Sequence, residues 1–275
     1  MVSCSSAGPS YDHAVIDESR RLSFEARADE YRYARPPYPR ALYEILEQRC
    51  GLGPGTRVLE IGAGTGQATR DLLARGARVV AVEPGARLAA HLAADLGGDA
   101  LEIVNEMIET APLPDDAFDV VASATAFHWV RTEVTLPRLA RALRPGGWLA
   151  VWWTVFGDRT RPTAFREALD RLYARTFPHT SRDPVHGPLN IESWRDELSQ
   201  GGWFTRPDVT QIRWENRLTP EGARRLFGSF PNVNDLDPER RAAHLDAIAD
   251  LVREAGGVVL DPCVTVLYLA RVTWS

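Results

Sequence analysis

The stretch Val58-Leu59-Glu60-Ile61-Gly62-Ala63-Gly64-Thr65-Gly66-Gln67-Ala68-Thr69 decides how the rest of the chain is read. An apolar run ends in a carboxylate, three glycines alternate over five residues, and a segment of helical character, Gln67 to Ala74, follows. Glycine lets the backbone turn tightly and approach a ligand, because no Cβ blocks the left-handed region or the surface. A loop of this kind between strand and helix is where open α/β sheets bind nucleotides. The spacing here is Gly-x-Gly-x-Gly, unlike the Gly-x-Gly-x-x-Gly of dinucleotide enzymes. Taken alone, the same residues make only a tight turn, so the weight rests on what surrounds them.

Outward from that turn, apolar strands and helical segments alternate. Thr56–Ile61 reads as a strand, Gln67–Arg75 as a helix, Arg78–Val82 as a strand and Ala86–Leu96 as a helix. Strands at Leu101–Val104 and Phe118–Ala122, a helix at Thr132–Ala142, and a strand at Gly147–Trp153 after the turn Arg144-Pro145-Gly146-Gly147 come next. Strands separated by helices of this length predict a parallel sheet with helices on both faces. Upstream, Arg40–Cys50 has helical spacing and is stopped by Gly51 and Gly53-Pro54-Gly55. Downstream, Ala164–Phe177, Ile191–Ser199, Pro220–Gly228 and Pro238–Ala255 read as helices, and Thr210–Arg217 and Val264–Val272 as strands.

Composition narrows the chemistry. The 275 residues carry a net charge of -5, with 44% hydrophobic and 25% charged residues, as in an ordinary globular protein. The pI near 5.7 gives no electrostatic footprint for nucleic acid. All 32 basic residues are arginine, which removes Schiff-base lysine chemistry and a lysine-bearing phosphate loop, and suggests a high-GC bacterial coding genome. Cys4, Cys50 and Cys263 are scattered without metal-type spacing and fit a reducing cytosol. Met1 to Tyr11 lacks a signal-peptide pattern, and no apolar run reaches membrane-spanning length. His179, Asp183 and His186 cluster in sequence, but their spacing matches no common zinc pattern, so no metal is expected.

With Glu60 two residues ahead of the first glycine, the opening stretch resembles motif I of the class I S-adenosylmethionine (SAM) methyltransferases. The resemblance runs well over Phe24 to Trp153, and the pattern is similar to the small-molecule "type 11" and trans-aconitate methyltransferase subgroup. It implies SAM as cofactor and S-adenosylhomocysteine as product, with Glu60, Gly62, Ala63, Gly64, Thr65 and Gly66 at the cofactor. Glu83, closing the second strand ahead of Pro84, would accept hydrogen bonds from the ribose hydroxyls. Met107, Ile108 and Glu109 would meet the adenine, and Ser123 and Ala124 would line the end of the fourth strand. The run Ser23 to Pro39 looks like the lead-in of that subgroup. There Arg35 would pair with the methionyl carboxylate and Tyr31 or Tyr33 would face the sulfonium.

The fold expected from this resemblance is an α/β, Rossmann-like doubly wound sheet of about seven strands, mostly parallel, the last strand antiparallel. Residues 1–20 are expected to be disordered, 21–39 to form an N-terminal lid, and 40–275 to form the catalytic domain. Within that domain, 157–190 and 219–257 would be insertions over the substrate. His128 in Phe127-His128-Trp129 is the candidate general base, with a purely structural role as its alternative. Phe24, Trp129, Trp153, Phe227 and Phe230 are the expected walls of a small-molecule cavity. The implied reaction is methyl transfer to an oxygen, nitrogen or carbon nucleophile, attractive in secondary metabolism. Alternatives left open are a SAM-fold protein running a cyclisation or decarboxylation, an NAD(P) oxidoreductase, and a non-enzymatic partner domain. Monomer and dimer are equally compatible with the sequence.

Overall fold

The structure, a computed structural model, describes residues 34–178 and 187–274. Phe24 and Tyr31, the segment 1–33, and His179, Asp183 and His186 lie outside the described residues.

Among the described residues, seven strands form one sheet in the order β3-β2-β1-β4-β5-β7-β6. The strands are β1 (Arg57–Ile61), β2 (Arg78–Val82), β3 (Leu101–Val104), β4 (Phe118–Ala124), β5 (Leu143–Phe156), β6 (Asp208–Leu218) and β7 (Val259–Arg271). The pairs β1–β2, β2–β3, β1–β4 and β4–β5 are parallel, while β7 runs antiparallel to both β5 and β6. This is the expected sheet, with the last strand inserted in reverse. The helices are α1 (Arg40–Cys50), α2 (Gln67–Ala74), α3 (Ala86–Leu96), α4 (Thr132–Ala142), α5 (Ala164–Thr176), α6 (Ile191–Leu198), α7 (Pro220–Gly228), α8 (Pro231–Asn234) and α9 (Pro238–Glu254).

Strand alternation sorts the core into two layers. Val120 and Ala122 of β4, Ala150 and Trp152 of β5, and Leu267 and Leu269 of β7 join Leu42 and Leu46 of α1 and Leu72 of α2 on one face. Val121, Leu149, Val151, Trp153, Val266 and Tyr268 join Leu136 and Leu139 of α4 and Leu198 of α6 on the other. A third cluster joins α5 to α7 and α9 through Phe165, Leu169, Leu172, Leu226, Phe227, Leu245 and Ile248. Helices from the two segments read as insertions therefore share one apolar core. Each begins with a side-chain cap: Thr163 accepts from Arg166 N, Thr219 from Gly222 N and Asp237 from Arg240 N.

Three details differ from the expectation. The turn Arg144–Gly147 is not a boundary: it is a bulge inside β5, with Leu143 opposite Phe118 and Trp148 opposite Val120. β7 starts at Val259, five residues before the expected Val264, and runs through Pro262. That proline is tolerated because β5 gives out beside it, its last pair being Phe156 with Cys263. Finally, Phe127–Trp129 forms a single tight helical turn where only a strand exit was foreseen.

Candidate functional site

The chain winds outward from β1 to β2 and β3, then returns to β4 on the other side of β1. This reversal opens a crevice beyond the carboxyl ends of β1 and β4, the place where doubly wound sheets bind ligands. A cleft of about 1160 Å³, counting its open mouth, lies there. Its wall is built from the glycine turn, the ends of β2, β4 and β5, and the segment carrying Arg35, Pro36 and Tyr38.

The three glycines of the turn have different tasks. Gly64, at φ +57°, would direct a Cβ into open space, with Gln67 Oε1 the nearest atom at 4.0 Å. Gly66, at φ +88°, is packed instead: a Cβ there would come within 2.7 Å of Leu92 and 2.8 Å of Leu96 on α3. A Cβ on Gly62 would meet that of Ala126 at 2.5 Å, so this glycine lets the β1 and β4 exits touch. α2 starts at Gly66 with no side-chain cap, unlike the capped helices of the insertions.

Two buried carboxylates flank the turn. Glu83 Oε2 accepts from Gly64 N at 2.8 Å and Oε1 from Gly85 N at 2.9 Å, while Asn105 Nδ2 donates to the Glu83 carbonyl at 2.8 Å. Glu60 Oε2 accepts from the Thr69 hydroxyl at 2.7 Å, and its Oε1 is buried without a partner. Burial pushes the Glu60 carboxyl up to about 8; the Thr69 hydrogen bond opposes that rise and the Glu83 charge adds to it. An unpaired carboxylate oxygen on the floor of a cleft is costly unless a cation or a donor arrives.

At the exit of β4, Thr125 holds the left-handed conformation at φ +57°, uncommon for a β-branched residue and a mark of backbone held for a purpose. Its hydroxyl bonds the Tyr38 hydroxyl at 2.9 Å, and Tyr38 meets Trp152 edge-on at 5.8 Å. The Arg35 guanidinium lies 4.6 Å from the Phe230 ring centroid and 5.5 Å from that of Phe156, with Nη2 donating to the Ser229 carbonyl at 3.5 Å. Arg35 thus ties the segment leading into α1 to the junction of α7 and α8.

Of the residues singled out in the sequence, Arg35, Glu60, Gly62, Ala63, Gly64, Glu83, Pro84, Ile108, Ala124 and Trp129 line the cleft. Others stand behind it. Gly66 packs on α3, Thr65 accepts from Gln67 Nε2, and Ser123, fully buried, donates to the Ile61 carbonyl. Glu109 accepts from Arg131 N, and Met107 shapes the same turn through its carbonyl, which accepts from Thr110 N and Ala111 N. Trp153 and Phe227 are not cavity walls: both are buried, Trp153 in the sheet core and Phe227 between α5, α7 and α9. Phe230 reaches the cleft only through Arg35 and Phe156.

His128 does not line the cleft either, and its geometry speaks against a general base. Its Nδ1 lies 3.0 Å from Trp153 Nε1, an obligate donor, so that lone pair is taken. The neutral ring then carries its proton on Nε2 and has no lone pair left to accept another. Desolvation draws the imidazole down to about 4, which favours the neutral ring, but the residue is exposed at the surface and solvent limits that shift. Sequence reading passed over Tyr38, Leu88, Thr125, Thr154 and Phe156, all of which line the cleft. Tyr38 lies inside the Ser23 to Pro39 run, and for Thr125 the available signal is its place just past the end of β4.

Comparison with known proteins agrees with this fold. Residues 59–151 match a methyltransferase domain family. The chain is 32% identical over 234 residues to an uncharacterized methyltransferase of Mycobacterium bovis, covering 84% of this chain and 86% of the relative. In fold it is similar to a candidate type II methyltransferase from Anaeromyxobacter dehalogenans, at TM-score 0.65 and 23% identity, covering 86% of this chain and 97% of the other. It is also similar to a Haemonchus contortus phosphoethanolamine N-methyltransferase solved with S-adenosylhomocysteine, at TM-score 0.53 and 16% identity, covering 92% of this chain and 58% of that one. Among the described residues, no helix is long and apolar enough to cross a membrane. Sheet order, glycine turn and relatives agree, and the chain belongs to the class I SAM-dependent methyltransferases.

Proposed function

We propose that the chain transfers a methyl group to a small molecule held beside the end of β5, under the helices α5, α7 and α9. The observation that carries this reading is the pair of buried carboxylates at the glycine turn, Glu83 bound to its backbone and Glu60 with one oxygen unsatisfied. A cationic, hydroxyl-bearing nucleoside fits that pair. Glu83 would accept from the ribose, Glu60 would face the ammonium, Leu88 and Ile108 would sandwich the adenine, and open Gly64 would let the cofactor rest on the backbone. Arg35 would hold the methionyl carboxylate, with Tyr31 and Phe24 of the preceding segment closing over it.

Bound there, SAM supplies an activated methyl on a sulfonium, which an oxygen, nitrogen or carbon nucleophile takes by in-line displacement. The chain itself supplies proximity, orientation and exclusion of water. Tyr38, Thr125 and Thr154 offer hydroxyls and Trp129 and Phe156 offer apolar surface beside the end of β5. Burial pushes the Cys50 and Cys263 thiols up to about 12, so neither is a thiolate nucleophile at neutral pH.

Calorimetry with S-adenosylhomocysteine, followed by screening small molecules for its production from SAM, tests the reading. Absence of binding at millimolar ligand would remove the cofactor site. Binding without turnover on any acceptor would instead favour a non-methylating use of the fold.

A further inference from the structure

We infer that His128 is a positioning residue: held by Trp153 with its proton on Nε2, it fixes the Trp129 indole that walls the cleft. This rests on the methyl-transfer reading only in giving Trp129 its task; the geometry stands without it.

The chain of contacts is continuous. Trp153 Nε1 donates to His128 Nδ1 at 3.0 Å, and indole nitrogen can only donate, so the imidazole nitrogen must accept. The His128 ring lies 4.9 Å from that of Trp129, tilted by 43°. Trp153 lies 4.4 Å from Trp194 of α6 and meets Tyr268 of β7 edge-on at 5.9 Å. Tyr268 in turn donates to the Pro188 carbonyl at 2.6 Å, at the start of the segment leading to α6. The tight turn itself is held by Trp129 N to the Ala126 carbonyl at 3.0 Å and Val130 N to the Phe127 carbonyl at 3.1 Å, with Phe127 fully buried.

Turning His128 into a base toward the cleft would require its Nδ1–H tautomer. That would place two N–H groups against each other and leave the buried Trp153 donor unsatisfied. The aromatic row therefore fixes both the tautomer and the ring plane against which Trp129 stacks.

The test needs no methyl acceptor. In the full chain labelled with ring-15N histidine, the six histidines are resolved by NMR and His128 is assigned through His128→Asn. The expected spectrum of the neutral ring has protonated Nε2 and bare Nδ1. Trp129 is read by 19F NMR of 5-fluorotryptophan protein, its resonance assigned by Trp129→Phe. His128→Asn, whose side-chain oxygen still accepts from Trp153, should leave the Trp129 resonance near its wild-type position, while His128→Ala should shift it. S-adenosylhomocysteine affinity, measured on the same samples, should change by less than about threefold in both variants. An Nδ1–H tautomer of the neutral ring, or an unmoved Trp129 resonance in His128→Ala, would overturn the inference. Failure of the wild-type chain to bind S-adenosylhomocysteine would overturn the methyltransferase reading and leave the tautomer result to stand or fall by itself.

Discussion

The Glu83 carboxylate accepts a hydrogen bond from Gly64 N at 2.8 Å, so this strand-end acid, the proposed ribose acceptor, and the glycine turn are one unit. Removing the carboxylate disturbs both. Glu83→Ala should weaken S-adenosylhomocysteine binding by roughly ten- to a hundredfold, the worth of hydrogen bonds to a charged group. Glu83→Gln, which keeps one acceptor oxygen, should fall between. Calorimetry reads both, and wild-type affinity in Glu83→Ala would remove the ribose assignment.

Gly64 and Gly66 should separate binding from stability. Both sit at positive φ, which costs an alanine roughly 1–2 kcal/mol. Gly64→Ala otherwise meets open cleft, so it should keep its fold and lose cofactor affinity. Gly66→Ala drives into Leu92 and Leu96 and should lose a further 1–3 kcal/mol or so of stability by overpacking. Thermal unfolding and calorimetry on the two variants give opposite patterns if the turn is divided in this way.

Glu60 should make cofactor binding proton-linked. Its carboxyl, raised to about 8, is largely protonated in the free protein at pH 7. Pairing with an ammonium should expel that proton. Binding heats measured in buffers of different ionisation enthalpy should show proton release below about pH 8, absent in Glu60→Gln. The same shift sets a stability slope. A carboxyl raised in the folded state stabilises below its unfolded value, near 4.3, and loses that contribution as pH climbs through about 8. Unfolding of the free protein should therefore become easier from pH 5 to 9, and less steeply so in Glu60→Gln.

The ion pair between Arg166 of α5 and fully buried Asp261 of β7 anchors the helical layer to the sheet. Burial raises the Asp261 carboxyl while Arg166 opposes that rise. Asp261→Ala leaves a guanidinium unpaired in the interior and should cost about 3–5 kcal/mol. Denaturant unfolding checks this, and a loss under about 1 kcal/mol would mean that water reaches the pair.

Much of the frame was legible because punctuation marks it. Gly51, Pro84-Gly85 and Pro220 bound helices whose limits, Arg40–Cys50, Ala86–Leu96 and Pro220–Gly228, are those read from the sequence. The cleft wall around the glycine turn was marked by one glycine spacing and one strand-end acid. The acceptor half did not. Trp152 and Trp153 are consecutive on a strand buried on both faces, and nothing in the sequence says which indole meets the Tyr38 edge and which meets His128. The bond that takes the His128 lone pair joins residues 25 apart in the chain, invisible to any local pattern. Phe227 was taken for a wall because an aromatic in an insertion reads the same whether it faces a ligand or another helix.

Because β7 pairs on one side with β5 and on the other with β6, its late place in the chain has a consequence for biosynthesis. β5 ends at Phe156, and the strand that covers its open side begins only at Val259. At ribosomal rates of about 5–20 residues per second, the nascent sheet keeps a bare edge for roughly 5–20 seconds. Over the same interval Phe165, Leu169 and Leu172 of α5 wait for α7 and α9 to emerge. The cofactor-binding half can close around its glycine turn well before then. A chaperone that shields the β5 edge, or a cofactor that captures the early half, should raise the yield of folded chain more than any stabilisation of the finished sheet.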